Sequence, residues 1–426
     1  MNRARQCLMV MASLALAAGA LTGTATAAPS GTAPTAQEQL LTTLDPQRLA
    51  ASGPPQESMS AALPAGKTCT DIPASKGRKG SARACTEVTR TADSRTAAPL
   101  AAEACSVQPG NYRFDRHSYC LSDARLTYTL YDPVNGSVKG VGEISLSGSA
   151  TLDARSGWWN EMFTATVTRL EGNVRSLAVK LTASCTNSCG MLNADAWGTK
   201  VLVLGQSVSS HVTFSSHPAS GTVTQITPQY ALQLYQPGDI PGDWNHNWSL
   251  PTQVRCDAES AGYGCVIGQA RAQLNLPLSQ FGTAAATYWY AQAALADRWG
   301  TPENPLIRNK SEAAAEANRY RTCKEGSSIP FYPQGDIPED SCDEYPFAGT
   351  FQGGQDGGSC AEILPKFEDG TWKIYYFLGR QPTGYEPCVR GHVPLPENTA
   401  AGGEYGRFVQ AERVLDAEKF TVSIAG

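Results

Sequence analysis

Apolar and polar positions alternate through much of the middle of the chain. Leu126, Tyr128 and Leu130 are separated by threonines, and Phe163-x-Ala165-x-Val167 and Leu177-x-Val179-x-Leu181 repeat the pattern. A period of two is that of a strand with one buried face. Asp132-Pro-Val-Asn135-Gly136 supplies turn chemistry before the extended pattern resumes over Val138 to Leu146, and Val201 to Leu204 is a further short apolar run. Short strands separated by turn signals predict an antiparallel sandwich or barrel over residues 105–255. The period then changes. Thr283 to Trp299 is Ala-rich, carries Tyr288, Trp289, Leu295 and Trp299, and meets Gly300 and Pro302, which predicts a helix with a clear stop. Ser311 is placed to cap a second helix running to about Arg321. A Gly/Pro-rich stretch follows, and a third helix is expected between Ala400 and Arg413. The fold class expected is multidomain: an N-terminal all-β domain, an antiparallel sandwich or barrel, followed by a small α+β domain.

The start of the chain reads as an export signal. Arg3 and Arg5 precede an apolar run from Cys7 to Leu21, and Ala25-x-Ala27 marks a cleavage site, so residues 1–27 are expected to be removed. The run is shorter than a spanning helix needs, and no membrane anchor is expected. Residues 28–66 are rich in Ala, Pro, Thr, Ser and Gln and are expected to be a disordered linker. A cysteine-containing, loop-rich segment is expected over 67–104, with the basic run Lys76 to Arg83 read as a solvated loop. Residues 256–304 are expected to be a helical connector and 305–426 the C-terminal domain.

Cys7 leaves with the signal, and twelve cysteines remain: Cys69, Cys85, Cys105, Cys120, Cys185, Cys189, Cys256, Cys265, Cys323, Cys342, Cys360 and Cys388. An even number in neighbouring couples, without Cys-x-x-Cys knuckles, predicts disulfides rather than zinc, hence a secreted, extracellular protein. Spacing does not fix connectivity; sequential pairing is the simplest expectation. Residues 1–27 hold two arginines and no acids, so their loss takes the formal charge from -5 to -7. From Thr301 onward there are 12 Lys and Arg against 19 Asp and Glu. A binder that relied on neutralising many phosphates would be basic, so general electrostatic affinity for nucleic acid is excluded.

Candidate chemistry concentrates near the C-terminus. His117, His211, His217 and His246 lie in unrelated contexts and read as surface or structural side chains. Asn245-His246-Asn247, flanked by Trp244 and Trp248, reads as aromatic loop packing. Ser341-Cys-Asp343-Glu344-Tyr345-Pro346-Phe347-Ala348 sets two adjacent carboxylates beside apolar residues, which would raise their affinity for protons. Downstream, Glu397-Asn398-Thr-Ala-Ala-Gly-Gly-Glu404-Tyr-Gly-Arg407 places an amide near a helix start, with an acid six and an arginine nine residues further on.

Together these two stretches resemble the NucA/NucB deoxyribonuclease family. The resemblance runs from roughly Pro305 to Ile424 and includes Pro305-Leu-Ile-Arg308, Ala317-Asn-Arg319, Cys323, Arg413-Val-Leu-Asp416 and Phe420. It implies a ββα-metal-like nuclease domain acting as a secreted endonuclease on extracellular DNA. It also implies a divalent ion, Mg²⁺ or Mn²⁺, with Asp343 as general base and Glu344 as its neighbour and second candidate. Asn398 would be the metal ligand, helped by Glu404, and Arg407 would contact phosphate. His392, six residues before Asn398, is an alternative base. Relative to compact members, the interval from Pro346 to Asn398 is long and carries Cys360, Cys388 and an aromatic strand from Trp372 to Phe377. The competing reading is a non-enzymatic adhesion or wall-associated protein whose C-terminal module binds Ca²⁺ or a partner. A nuclease toxin is a third reading, though no translocation segment is recognisable. In the nuclease reading the β domain is expected to tether the enzyme to its substrate or to a cell-wall or surface ligand.

Overall fold

The computed structural model describes residues 37–44, 58–73, 81–89, 105–187, 189–239, 245–259 and 262–426. The export signal and most of the basic run from Lys76 lie outside these residues. Among the described residues no helix is long and apolar enough to cross a membrane.

The alternating segments are strands. Ser118–Tyr131, Val138–Thr151, Trp158–Gly172 and Ser207–Ser215 form the spine of a nine-stranded antiparallel sheet. The turn at Asp132 to Gly136 joins the first two strands. Asp132 accepts a hydrogen bond from the Val134 N–H at 2.8 Å, and Gly136 adopts φ 69°, which glycine supplies without steric cost. A four-stranded antiparallel sheet, in the order Asp195–Leu202, Leu177–Cys185, Pro228–Tyr235 and Asn245–Ser249, shares one hydrophobic core with the nine-stranded sheet. Phe163 of one sheet meets Tyr230 of the other edge-on, with centroids 5.1 Å apart. His246, expected in a loop, lies on the last of these strands, buried and stacked on Trp248.

Three expectations about the connecting segments are corrected. The stretch read as a linker, 28–66, contributes Glu38–Thr43 and Met59–Ala62 as strands. These lack the alternation that marks a strand because their side chains are mostly half-exposed; backbone pairing holds them. The segment read as loop-rich, 67–104, contains the paired strands Lys67–Ile72 and Ala82–Thr89, which extend the nine-stranded sheet. The expected connector, 256–304, divides between both cores. Its hairpin Val254–Asp257 with Gly264–Val266, closed by Cys256–Cys265, packs with the β sheets. The helix α1 (Leu278–Ala294) belongs to the second core.

That second core surrounds a five-stranded sheet in the order Glu38–Thr43, Thr371–Phe377, Ala361–Glu368, Val389–Pro394 and Asp340–Tyr345. Its first strand comes from far upstream and pairs antiparallel with Thr371–Phe377; Glu38 also takes an ion pair from Lys366 at 2.7 Å. The strand Asp340–Tyr345 is the opposite edge. Helices α2 (Glu312–Cys323) and α3 (Leu395–Ala411) complete this part, and Ser311 caps α2 by accepting from the Ala314 N–H at 3.2 Å. All twelve cysteines pair in sequential order: 69–85, 105–120, 185–189, 256–265, 323–342 and 360–388.

Residues Gln37–Gly426 form one unit. Buried arginines link its two cores. Arg116 pairs with Glu418 at 2.7 Å and donates to the Glu412 carbonyl, Arg255 pairs with Glu418 at 2.7 Å, and Arg413 pairs with Asp257 at 2.5 Å.

Candidate active site

The edge position of Asp340–Tyr345 determines what its side chains can reach. Successive residues on a strand point to opposite faces, so in the middle of a sheet Asp343 and Glu344 would be walled apart. At an edge, both line the same cavity of about 700 Å³, together with Cys342, Asn398, Arg308, Lys310 and Arg319.

Asp343 points towards α1. It is 5 % exposed and accepts a hydrogen bond from the Tyr288 hydroxyl at 2.7 Å. Burial pushes its carboxyl well above the usual carboxylate range, the neighbouring Glu344 charge adds to this, and the Tyr288 hydrogen bond opposes it. Glu344 points towards α2. Burial raises it to about 7, against the pull of the Arg319 guanidinium and of the Ala348 backbone N–H. The disulfide Cys323–Cys342 ties the last residue of α2 to this strand, with the Cys323 sulfur 3.5 Å from the Glu344 carboxylate.

Helix α3 begins after Pro394, with a second proline, Pro396, in its first turn, where the missing N–H costs nothing. Asn398 is its fourth residue. Its amide nitrogen donates to Ser341 Oγ and to the Cys342 carbonyl, both at 3.1 Å. The amide is thus pinned beside the Asp343–Glu344 pair, and its Oδ1 is the atom left unengaged. This oxygen and the two carboxylates are hard donors suited to Mg²⁺ or Mn²⁺, which keep several water ligands and need few from protein. Among the described residues no three His, Cys, Asp or Glu side chains cluster as a ready-made cage.

The residues of α3 that line the cavity, Asn398, Ala401, Gly402, Tyr405, Gly406, Val409 and Gln410, follow one broad helical face. Glu404 and Arg407, six and nine residues beyond Asn398, are turned well away from that face. They pair with each other at 2.7 Å on the outside of the helix. The structure does not bring them to the site expected from their spacing in sequence. Nor does it bring His392, which is fully buried on the face of the strand pair opposite Asp343 and does not line the cavity. There its two ring nitrogens meet Asp340 at 2.7 Å and Glu362 at 3.2 Å, beneath the ring of Phe331.

Other lining residues carried weaker signals. Tyr288 was hidden in an Ala-rich helix that reads as core, which is where its ring does pack. Arg308 and Arg319 lie in recognisable stretches but have no local pattern that assigns them a role. Lys310 pairs with Glu259, at 3.2 Å, from a loop of the β sheets that no local sequence signal ties to the site.

A buried carboxylate beside a half-buried one, an amide oxygen held next to them and three lining cations suit the displacement of a phosphate ester by water. No curated protein matches the chain. Residues 293–373, the stretch that carries Arg308, Lys310, Arg319, Asp343 and Glu344, match the family model of the deoxyribonuclease NucA/NucB; the match ends before Asn398.

Proposed function

We propose that the protein is an extracellular endonuclease that hydrolyses phosphodiester bonds of DNA with the help of a divalent ion. The observation that carries this reading is the pair of hydrogen bonds from Asn398 to the strand bearing Asp343 and Glu344, within one cavity. In this reading Asp343 accepts a proton from the attacking water. Its raised proton affinity makes it a stronger base than an ordinary carboxylate, and Tyr288 holds its orientation. Glu344, tuned to about 7, is the second proton-handling group. Arg308, Lys310 and Arg319 offset the charge of the scissile phosphate. A Mg²⁺ or Mn²⁺ ion bound through Asn398 would supply Lewis-acid stabilisation of the phosphoryl oxygens and the departing 3′ oxygen. Six disulfides support an oxidising, extracellular setting.

The test is plasmid digestion by purified protein with Mg²⁺ or Mn²⁺ and with EDTA. Cleavage is expected with metal, and both chelation and the variants Asp343→Asn and Asn398→Ala should reduce it at least a hundredfold. Intact plasmid under every metal tried, or full activity in both variants, would refute the assignment and favour a binding module.

A further inference from the structure

An acidic nuclease cannot rely on neutralising many phosphates to hold its substrate. Affinity that does not depend on charge has to come from elsewhere, and the β sheets present a candidate on loops bound to the segment that follows α3. We propose that Trp158, His217 and Tyr263 form a stacking platform for unpaired bases, and that the preferred substrate is single-stranded DNA. This inference rests on the nuclease reading above for the chemistry, but the platform itself can be tested separately.

The three rings are contiguous. His217 lies between Trp158, at 5.5 Å and 65°, and Tyr263, at 5.2 Å and 81°. All three are exposed, Trp158 to 46 % and Tyr263 to 44 %. The core gains nothing from Trp158: its neighbour Trp159 fills the inward position, stacked on Phe214 at 5.3 Å. Large aromatic rings left in water beside a cleft are the usual equipment for gripping flat, apolar faces.

The rings are mounted rigidly. Arg413, two residues past α3 and 2 % exposed, donates to the Ala154 carbonyl at 2.6 Å, to the Asp257 carbonyl at 2.8 Å and to the Gly262 carbonyl at 3.2 Å. The first of these loops leads into Trp158 and the second into Tyr263. A Cβ on Gly264 would lie 1.9 Å from the Ala154 oxygen, so the two loops touch.

The segments that anchor the platform also contribute to the site. Glu259, four residues before Tyr263, lines the catalytic cavity. Val409 and Gln410 line it too, and Arg413 follows Gln410 by three residues, just past the end of α3. Arg155, exposed on the same loop as Ala154, has a guanidinium with no partner among the described residues and can meet a backbone phosphate. In duplex DNA the base faces are buried in the stack and only edges are offered, so rings of this kind engage strands whose bases are free.

The experiment compares the full-length wild-type protein with Trp158→Ala/Tyr263→Ala. It uses fluorescence anisotropy with a labelled single-stranded 20-mer in EDTA and cleavage of that oligonucleotide and its duplex with Mn²⁺. Loss of both rings should weaken single-strand binding and raise KM for the single strand at least tenfold, with kcat and duplex cleavage little changed. Trp158→Phe/Tyr263→Phe, which keeps the stacking faces, should behave as wild type and exclude misfolding as the cause. Unchanged single-strand affinity in the alanine variant overturns the proposal. So does an equal loss on single strand and duplex. A wild type that cleaves no DNA refutes the nuclease reading, while the anisotropy measurement still decides the platform.

Discussion

Replacing Tyr288 by Phe removes one oxygen atom from the site and little else. The ring packs against Tyr345 and Phe347, with centroids at 5.4 Å and 5.0 Å, and those contacts survive the change. What is lost is the hydrogen bond to Asp343, made between two buried groups at 2.7 Å. The hydroxyl donates to the ionised carboxylate and so favours ionisation; without it the Asp343 pKa, already raised by burial, rises further. A hydrogen bond to a charged group contributes about 1.5–3 kcal/mol. At about 1.4 kcal/mol per factor of ten, this is roughly a ten- to hundredfold change in the ionised fraction at a given pH on the limb. The acid limb of kcat/KM against pH should therefore move to higher pH. At a fixed pH on the limb, the rate should fall about ten- to a hundredfold and recover in alkaline buffer. Initial rates on a fluorogenic oligonucleotide, at constant metal and ionic strength, read this directly. A limb that stays in place, with or without a uniform loss at every pH, would show that Tyr288 does not tune Asp343.

Two further predictions concern stability. Glu161 is fully buried in the β core, where Tyr230 and Tyr119 donate to its Oε2 at 2.5 and 3.1 Å, and burial raises its pKa to about 8. Because the folded pKa lies above the unfolded one, its contribution is complete below about 4.5 and lost as pH rises through about 8; by about 1.4 kcal/mol per unit, the span is on the order of 5 kcal/mol. Glu161→Gln should flatten the decline of Tm between pH 5 and 8.5, and parallel melting curves for the two proteins would contradict this. Cys323–Cys342 closes a separation of 19 residues, whereas Cys185–Cys189 closes 4. Removing the first by paired alanine substitution should cost about 3 kcal/mol in chemical denaturation and the second about 2. Only the first should also lower the cleavage rate, since it anchors the strand of Asp343; an equal effect of both on rate would remove that role.

The parts of this fold that could be read from sequence are those fixed by local physics. The hairpin at Asp132 to Gly136 follows from turn chemistry between alternating runs, and the start of α2 from a serine cap. The expected start at Thr283 is where the long part of α1 begins; what the sequence did not mark is the short helical piece from Leu278, separated from it by Gly282, whose φ of 46° is non-helical. Its predicted stop at Gly300 is a separate tight turn, where the backbone passes the Tyr345 hydroxyl too closely for any side chain. The strand Glu38–Thr43 was missed for a different reason: its order comes from pairing with residues more than three hundred positions away. At the site, Asp343, Glu344 and Asn398 were recognisable as motifs. The direction in which Glu404 and Arg407 point depends on the helix phase relative to the sheet, which spacing from Asn398 alone misjudged.

The same long-range pairing changes how the acidic composition should be weighed. Counted along the chain, the segment from Thr301 carries seven more acids than bases, which argues against an anionic substrate. In the folded protein Glu418 takes ion pairs from Arg116 and Arg255, both upstream of that segment, and Arg116 also lies 3.9 Å from the Glu412 carboxylate. Asp340 and Glu362 are consumed around His392 and Arg390, beneath the sheet. Three cations meanwhile line the cavity, although Lys310 and Arg319 share their charge with nearby acids. The field a phosphate would meet is thus set by a few positions near Asp343, while much of the acidic excess is paired elsewhere. An acidic chain can therefore hold a phosphate-handling site. With so few cations near Asp343 such a site would have limited electrostatic reach, which makes a charge-independent grip on a substrate physically useful.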